Sequence, residues 1–407
     1  MSDLAYKAFE ARQKERGIDV SAVKAAIKEI KIETPSWGYG DSGTRFKVFK
    51  KAGVPRNPFE KFEDAAIVHK LTGSCPSVAI HIPWDKVKDY AQLRSHAESL
   101  GLKIGAINPN VFQDDEYMFG SVCNSKADVR KKATGHLLEC VEIMRACKSD
   151  ILSLWFADGT NYPGQANIRQ RKRWMEDALS ATYKAMDPHH RMLIEYKFFE
   201  PAFYHTDLAD WGMAYTLATK LGPQAEVLVD TGHHAPGTNV EHIVAYLLDE
   251  GKLGGFHFNA RKYADDDLIV GSTNPYELFL IFHEILAARR DSANAKAQRT
   301  ATRIAYMIDQ SHNIEPKIPA MIRSVMNVQT GYAKALLVNW DELAAAQAAQ
   351  DVLRAEAAVR DAFEQDVTPV LEVVREELGG AADPMKAYAK SGYGEKILPR
   401  GVGGASW

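Results

Sequence analysis

The sequence has few of the features that mark secreted, membrane-bound or thiolate-metal proteins. Its 407 residues include four cysteines, Cys75, Cys123, Cys140 and Cys147, and no CxxC pair. Neither a disulfide framework nor a cysteine zinc site is therefore predicted. No stretch approaches eighteen consecutive apolar residues, and the charged N-terminus lacks the apolar segment of a signal peptide. We expect a cytoplasmic protein whose thiols are buried and reduced.

An excess of charge of one sign is also lacking. The chain has 50 basic and 53 acidic residues, a formal net charge of −3, and no long basic run. Binding to a phosphate backbone depends on concentrated positive charge. Neither nucleic acid nor a membrane is expected as a partner.

Short apolar runs alternate with amphipathic stretches from residue 30 onward, which predicts β/α units and a parallel sheet. Between the runs, apolar residues recur at i, i+3 and i+4, as in residues 58–71, 90–100, 126–146 and 274–290. Eight runs are predicted strands: residues 30–37, 77–84, 103–110, 151–158, 191–198, 226–232, 253–259 and 304–309.

Eight units predict an α/β fold of the (β/α)8 TIM-barrel type. The alternative, an open doubly wound sheet, would need a glycine-rich nucleotide turn after the first strand. The segment SWGYGDSGTRF contains glycines but does not match GxGxxG, and no helical pattern follows it directly.

Two segments lie outside the predicted barrel of residues 30–339. Residues 1–29 predict an N-terminal helical extension of two short helices with a turn at Gly17. Residues 340–407 predict C-terminal helices and a tail used in oligomerisation. The part over 340–379 is alanine-rich, which is typical of solvent-side or subunit-contact helices, and residues 391–407 are too rich in glycine for regular structure to be expected.

Four predicted strands carry a potential metal ligand near their C-terminal ends, where the functional residues of TIM barrels lie. These residues are Glu195, Asp230, His257 and Asp309. A single acidic residue at a strand end is usually a helix N-cap. Four in successive units indicate that the side chains converge on one divalent ion, and mixed oxygen and nitrogen ligation suits Mn²⁺ or Zn²⁺ better than Ca²⁺.

A second group of ligands is predicted beside the first. Asp265 and Asp267 follow His257 in GFHFNARKYADDDL, and alternate residues of an extended loop point the same way. His233 or His234 can join them, and two ions about 4 Å apart can hold both oxygens of a reacting group. The alternative is that the aspartates cap the helix that begins near Pro275.

Aromatic residues at the other strand ends suit a small polyol, whose C–H faces pack on rings while its hydroxyls take hydrogen bonds. Each ring taken alone is more often a core residue. Lys197, two residues after Glu195, is predicted either to place a positive charge near a substrate oxygen or to form a salt bridge. The aromatic set is Trp37, His81, Trp84, Phe112 and Trp155.

The motifs together resemble L-rhamnose isomerase, in particular its bacterial branch of broad aldose–ketose specificity. The resemblance covers about residues 20 to 395 and rests on PSWGYGDSGTRF, HIPWDK, DGTNYPGQ, EYKFFEPAFY, VDTGHHAPGTNVE, GKLGGFHFNARKYADDDL and MIDQSHN. It implies a xylose-isomerase-like TIM barrel that forms a homotetramer. It also implies two divalent metal ions per subunit, most often Mn²⁺, with Co²⁺, Zn²⁺ and Mg²⁺ as alternatives.

The resemblance assigns roles to individual residues. Phe46 matches an aromatic residue supplied by a neighbouring subunit. One departure is visible, because members often read HFND where this chain reads HFNA, so that Ala260 offers no carboxylate. The structural-metal ligands implied are Glu195, Asp230, His257 and Asp309; the catalytic-metal ligands are His233, Asp265 and Asp267; the sugar-site residues are Trp37, His81, Trp84, Trp155 and Lys197.

The activity implied is the interconversion of aldoses and ketoses, from L-rhamnose to L-rhamnulose and related sugars, by a metal-assisted hydride shift between C1 and C2. His81, or water held by Asp309, is the predicted proton carrier for ring opening. An enediol route, in which a carboxylate or Lys197 removes the carbon-bound proton, is the alternative. The motifs do not separate L-rhamnose, L-mannose, L-lyxose, D-allose and D-allulose.

Other functions stay open at this point. A related metal-dependent TIM-barrel epimerase or abasic-site endonuclease would share the ligand pattern, although the net charge of −3 does not favour an endonuclease. A sugar-binding protein without catalysis would be expected to have lost ligands, and all seven positions keep ligating side chains.

Overall fold

The computed structural model describes residues 2–41, 48–200, 203–262, 265, 267–311 and 314–403. Eight parallel strands close into a barrel in the order β1, β10, β9, β8, β6, β4, β3, β2. The TIM-barrel prediction is confirmed, and the open doubly wound sheet is wrong. The strands are β1 Ile32–Pro35, β2 Ser77–Ile82, β3 Lys103–Pro109, β4 Ile151–Leu154, β5 Gly159–Thr160, β6 Arg191–Glu195, β7 His205–Thr206, β8 Ala225–Asp230, β9 Leu253–Phe258 and β10 Ala305–Ile308.

Each predicted strand overlaps one barrel strand, but the fourth and fifth barrel strands end well before the predicted ones. Residues 155–158 and 196–198 leave the barrel, because the chain beyond them forms a separate antiparallel pair of β5 with β7. A Cβ atom on Gly159 would lie 2.4 Å from the backbone oxygen of His205, so this pairing requires glycine. This pair lies in the segments that follow β4 and β6, beyond the C-terminal ends of those strands.

Helices follow the barrel strands and cover the outside of the sheet. Their N-termini are often capped by asparagine or aspartate. Asn274, not one of the aspartates at 265–267, caps α9, so the capping alternative for those residues is wrong. The helices are α1 Ser2–Glu15, α2 Val20–Glu29, α3 Pro58–Thr72, α4 Tyr90–Ser99, α5 Ala127–Cys147, α6 Ile168–Ala185, α7 Trp211–Leu221, α8 Val240–Asp249, α9 Pro275–Arg290, α10 Ala295–Ala301, α11 Lys317–Ala335, α12 Trp340–Ala348, α13 Val352–Phe363, α14 Thr368–Glu377, α15 Pro384–Lys390 and α16 Tyr393–Ile397.

The C-terminal tail is more regular than its glycine content predicts. Residues 393–397 form α16, and a 3₁₀ turn follows at Leu398–Arg400. Arg400 explains this order, since its guanidinium pairs with Asp64 of α3 at 2.9 Å and holds the tail on the barrel. No helix in the described part of the chain is long and apolar enough to cross a membrane.

The interior of the barrel is filled by a small apolar cluster separate from the main core. A buried carboxylate, that of Glu33 in β1, packs against the backbone of Gly105 in β3 and accepts a hydrogen bond from the N–H of Ala106 at 2.9 Å. Since the barrel is packed, the residues at the C-terminal strand ends face outward into a cavity at one mouth. The cluster consists of Trp37, Ala79, Ala106, Leu193, Leu228 and Met307.

Candidate active site

Four adjacent strands bring together the four residues predicted to hold one ion. Glu195 and Asp230 end β6 and β8, His257 is the fifth residue of β9, and Asp309 follows β10. Asp230 and His257 are register partners across the β8–β9 pair. One ligand atom from each residue lies within 4.8 Å of those of the other three. The barrel topology therefore gathers residues that are more than 100 positions apart in the sequence.

The side-chain nitrogen and oxygen atoms of this cluster lie around a common point and are not hydrogen-bonded to one another. Nδ1 of His257 lies 3.0 Å from Oε2 of Glu195 and 3.6 Å from Oδ2 of Asp309. Neither contact has the alignment of a hydrogen bond, and this buried nitrogen has no hydrogen-bond partner in the described residues. Ions such as Zn²⁺ keep nitrogen and oxygen ligands at about 2.0–2.2 Å, so the ligand atoms of one ion lie about 3–4 Å apart. The cluster fits a divalent ion of this kind.

The pKa shifts in the cluster follow from burial and from crowded negative charge. Burial raises the pKa of Asp230 to about 7, and the charges of Glu195 and Asp309 add to this rise although His233 opposes it. Burial alone would lower the pKa of His257, but the carboxylate of Glu195 raises it to about 9. A bound divalent cation would relieve this repulsion among the carboxylates.

Two residues around the cluster fix the orientation of its candidate ligands. Nδ2 of Asn259 donates to both carboxylate oxygens of Asp230, at 3.0 and 3.2 Å. Nε1 of Trp37 donates to Oδ1 of Asp309 at 2.8 Å. Partners of this kind hold metal ligands in place. Asn259 was not predicted from the sequence, although its i, i+2 spacing from His257 places it on the same side of the strand.

The second predicted group gathers next to the first. Nδ1 of His233 lies 3.0 Å from the backbone oxygen of Tyr196, which can only accept, so this nitrogen carries the hydrogen and Nε2 is left as a ligand atom. Nε2 lies 3.4 Å from Oδ1 of Asp265, a buried oxygen without a hydrogen-bond partner in the described chain. His234 is directed elsewhere, since its Nε2 lies 2.6 Å from the hydroxyl of Tyr196. Of the two histidines, His233 is the one that faces the cluster.

A short backbone pairing brings the aspartates over the mouth. Ala260 and Leu268 exchange two hydrogen bonds, at 3.0 and 2.9 Å, which close the loop between them. Asp267 within this loop has a φ of 47°, a left-handed conformation that costs free energy in a residue other than glycine. Burial together with the charge of Asp265 holds the pKa of its carboxyl well above the usual range. Ala260 thus has a backbone role at the base of the loop.

Lys197 forms the salt bridge that the sequence analysis gave as an alternative role. Its Nζ lies 2.6 Å from Oδ2 of Asp265 and 2.6 Å from Oε2 of Glu200, and 5.0 Å from the centre of the Trp155 ring. Lys197 also lines the cavity, so the two predicted roles are compatible. Glu200 is a further site residue that sequence reasoning missed.

The rest of the cavity wall is aromatic. His81 stacks on Trp84 with ring centres 3.8 Å apart, and Phe112 meets Trp155 edge to face at 4.7 Å. The cavity has a volume of about 210 Å³, below the about 300–1,000 Å³ of pockets for drug-sized ligands, and this size suits a monosaccharide. Phe46 lies outside the described residues. The predicted residues that line the cavity are Trp37, His81, Trp84, Phe112, Trp155, Glu195, Lys197, His233, His257, Asp265, Asp267 and Asp309, whereas Asp230 is buried behind them.

A buried ion pair beneath the aromatic wall fixes His81. Lys61 of α3 lies 2.6 Å from Oδ1 of Asp85. The other Asp85 oxygen accepts hydrogen bonds from the backbone N–H of His81, at 2.8 Å, and from the hydroxyl of Ser36. Asp85 stands in the HIPWDK motif, in a turn after β2, but no pattern in the sequence indicated that a lysine of α3 would neutralise it.

Comparisons with known proteins agree with this geometry. The chain is 44% identical over 397 residues to a protein of Rhizobium meliloti named probable sugar isomerase, which covers 96% of this chain and 91% of the relative. It is 41% identical, with the same coverage, to a probable sugar isomerase of Mesorhizobium japonicum. No protein-family model matches the chain.

Among solved structures, an L-ribulose 3-epimerase has a similar fold. Its TM-score is 0.54 at 14% sequence identity, and the match covers 76% of this chain and 98% of that chain. Such a likeness shows the barrel architecture alone. The identity of more than 40% over nearly the whole chain shows more: the protein belongs to the same family of sugar isomerases as the two rhizobial proteins.

Proposed function

We propose that the protein is a metal-dependent aldose–ketose isomerase of the L-rhamnose isomerase type, which converts L-rhamnose and related sugars into the corresponding 2-ketoses. The observation that carries the proposal is the pair of ligand groups at the cavity mouth, opposite an aromatic wall. In this proposal Glu195, Asp230, His257 and Asp309 hold one divalent ion, and His233, Asp265 and Asp267 hold a second. With divalent ions held by these residues, most simply Mn²⁺, the site would have the Lewis acid that polarises the oxygens on C1 and C2 of a sugar.

The state of Lys197 favours transfer of hydrogen as a hydride between C1 and C2. Burial would lower the pKa of Lys197, but the charges of Asp265 and Glu200 raise it above its usual value. An ammonium group held between two carboxylates is a hydrogen-bond donor and not a base. Lys197 therefore orients the substrate in this proposal and does not remove the carbon-bound proton of an enediol route.

His81 is the candidate proton carrier for opening the sugar ring. Burial holds its pKa well below the usual range, so the imidazole is neutral. Its buried Nδ1 has no hydrogen-bond partner among the described residues, and the ring is stacked on Trp84. A neutral, oriented imidazole is able to accept a proton from one sugar oxygen and return it to another. Asp309, oriented by Trp37, is the alternative carrier through a water molecule.

The test is an isomerisation assay on L-rhamnose, L-mannose, L-lyxose and D-allose after chelation and after addition of Mn²⁺, Co²⁺, Zn²⁺ or Mg²⁺. We expect activity only with metal. We also expect a loss of about 100-fold or more in Asp265→Asn, since changes even to the partners that orient metal ligands typically cost about 10- to 100-fold. Asp177→Asn, an exposed position on α6, is the matched control and should keep full activity.

Metal content should be measured on the same samples, and products separated from aldoses, ketoses and epimers. No ketose from any aldose, with metal bound in stoichiometric amount, would contradict the isomerase and direct attention to C3 epimerisation. Reaction in D₂O separates the two routes: the hydride shift leaves the product free of deuterium at C1 and C2, and an enediol introduces it.

We also propose that the active protein is a homotetramer in which Phe46 reaches a neighbouring site and residues 340–407 take part in subunit contacts. Val352 and Leu353, at the start of α13, are 76% and 80% exposed in the single chain, which suits a covered surface. Full turnover at dilutions where light scattering shows monomers would contradict this assembly.

A further inference from the structure

Gln113 lies on the side of the cavity away from the metal-ligand cluster. It follows β3, and β3 stands opposite β9, which carries His257, in the closed strand order. Its side chain lines the cavity at the exposed rim. A sugar with C1 and C2 at the cluster therefore extends its other end toward Gln113.

The neighbours of Gln113 determine which end of its amide faces the cavity. Oδ1 of Asn110 accepts the backbone N–H groups of Phe112 and Gln113, at 3.2 and 3.1 Å, so the nitrogen of Asn110 is directed to the Gln113 side chain. Nδ2 of Asn110 donates to Oε1 of Gln113 at 2.6 Å. The indole Nε1 of Trp84, which can only donate, reaches the same oxygen at 2.7 Å.

Two fixed donors thus occupy the oxygen of the Gln113 amide. The nitrogen Nε2 retains both of its N–H groups, and within the described part of the chain none of them has a hydrogen-bond acceptor. A side chain held through one atom in the wall of a binding cavity, with its donors still unused, is preorganised to recognise an acceptor on the ligand.

We propose that Gln113 is a specificity residue that donates a hydrogen bond from Nε2 to the hydroxyl on C6 of the bound sugar. The inference rests on the proposed function for the orientation of the sugar in the cavity. Gln113 is at the rim, so the atom it reaches is the terminal one and not a hydroxyl near C3. It follows that the site distinguishes a hexose from its 6-deoxy analogue by means of this amide.

The test compares L-mannose with L-rhamnose, which differ only in the hydroxyl on C6. In Gln113→Met the amide is replaced by a chain of similar length without donors. We expect kcat/KM for L-mannose to fall about three- to tenfold, the effect of one neutral hydrogen bond. For L-rhamnose the change should be less than about twofold. Any effect of losing the contacts to Trp84 and Asn110 is common to both sugars, so it cancels in the ratio of kcat/KM for L-mannose to kcat/KM for L-rhamnose.

Gln92→Met, at an exposed position of α4, is the matched control and should leave both values unchanged. Equal losses for both sugars in Gln113→Met would overturn the proposal, because the amide would then only position Trp84.

Calorimetric titration with L-mannitol and 6-deoxy-L-mannitol repeats the comparison without turnover. A wild type that converts neither aldose can still bind L-mannitol more tightly than 6-deoxy-L-mannitol. If Gln113→Met then binds the two polyols equally, the role of Gln113 is supported and the isomerase proposal is wrong. If the wild type binds neither polyol, the role of Gln113 is overturned.

Discussion

The buried pair of Lys61 and Asp85 gives the sharpest prediction about the support of the active site. Both side chains are inside the protein, with 3% and 0% of their surface exposed. In Lys61→Met the carboxylate of Asp85 would keep two neutral donors, the N–H of His81 and the hydroxyl of Ser36, and would lose the ammonium group that pairs with it. An uncompensated buried charge would remain beneath the aromatic wall.

The magnitude follows from the cost of such a charge. Removing one partner of a buried ion pair costs about 3–5 kcal/mol, whereas a single neutral hydrogen bond contributes about 1 kcal/mol. We expect Lys61→Met to lower the free energy of unfolding by about 3 kcal/mol, since the two neutral donors still solvate Asp85 in part. Adding Asp85→Asn removes the charge and keeps an oxygen for those donors, so the double variant should regain about 2 kcal/mol.

Urea unfolding at pH 7, followed by tryptophan fluorescence, measures these differences. Lys386→Met is the control, because the Lys386–Asp383 pair is exposed and its loss should change the stability by less than about 1 kcal/mol. A change below about 1 kcal/mol in Lys61→Met would refute the reasoning. So would a double variant no more stable than Lys61→Met, since the penalty would then not come from the unpaired charge.

Two further predictions concern the stability of the helical shell. Burial lowers the pKa of His283 to about 4. Between pH 6.5 and 4 this histidine is therefore protonated in the unfolded chain but neutral in the folded chain. The free energy of unfolding of the wild type should fall by up to about 3 kcal/mol over this range as the pH decreases. The stability of His283→Phe relative to the wild type should therefore rise by that amount as the pH is lowered from 7 to 4. The raised pKa of Glu284 has the opposite effect on stability, but it does so in both proteins. A difference in stability that does not change with pH would contradict the assignment to His283. Gly73 and Gly101 have φ values of 72° and 76°, but a Cβ atom on Gly73 would lie 2.8 Å from Cβ of Leu378, and one on Gly101 would have open space. Gly101→Ala should lower the free energy of unfolding, measured by thermal melting, by about 1–2 kcal/mol, and Gly73→Ala should lower it by about 1–3 kcal/mol more. Equal losses in the two variants would show that the contact with Leu378 relaxes without cost.

The sequence by itself determined the positions of the barrel strands and of the candidate ligands at their ends. Parallel strands buried on both faces read as short apolar runs, and helices read as a 3.6-residue period, so local patterns were sufficient to predict eight units. Because the C-terminal ends of barrel strands meet at one mouth, the prediction that Glu195, Asp230, His257 and Asp309 converge needed only the strand count and their places in it. The motif resemblance added the expected sugar substrate.

Only the tertiary structure decided which side chains support the ligands and which atoms remain open to a substrate. The partner of Asp85 comes from a helix 24 residues earlier, and the donor to Asp309 is Trp37, 272 residues away. The N–H groups of Gln113 remain unused because Asn110 and Trp84 both donate to its oxygen. Contacts of this kind depend on how separate elements pack in space, and hydrogen bonds between distant residues leave no periodic pattern in the sequence.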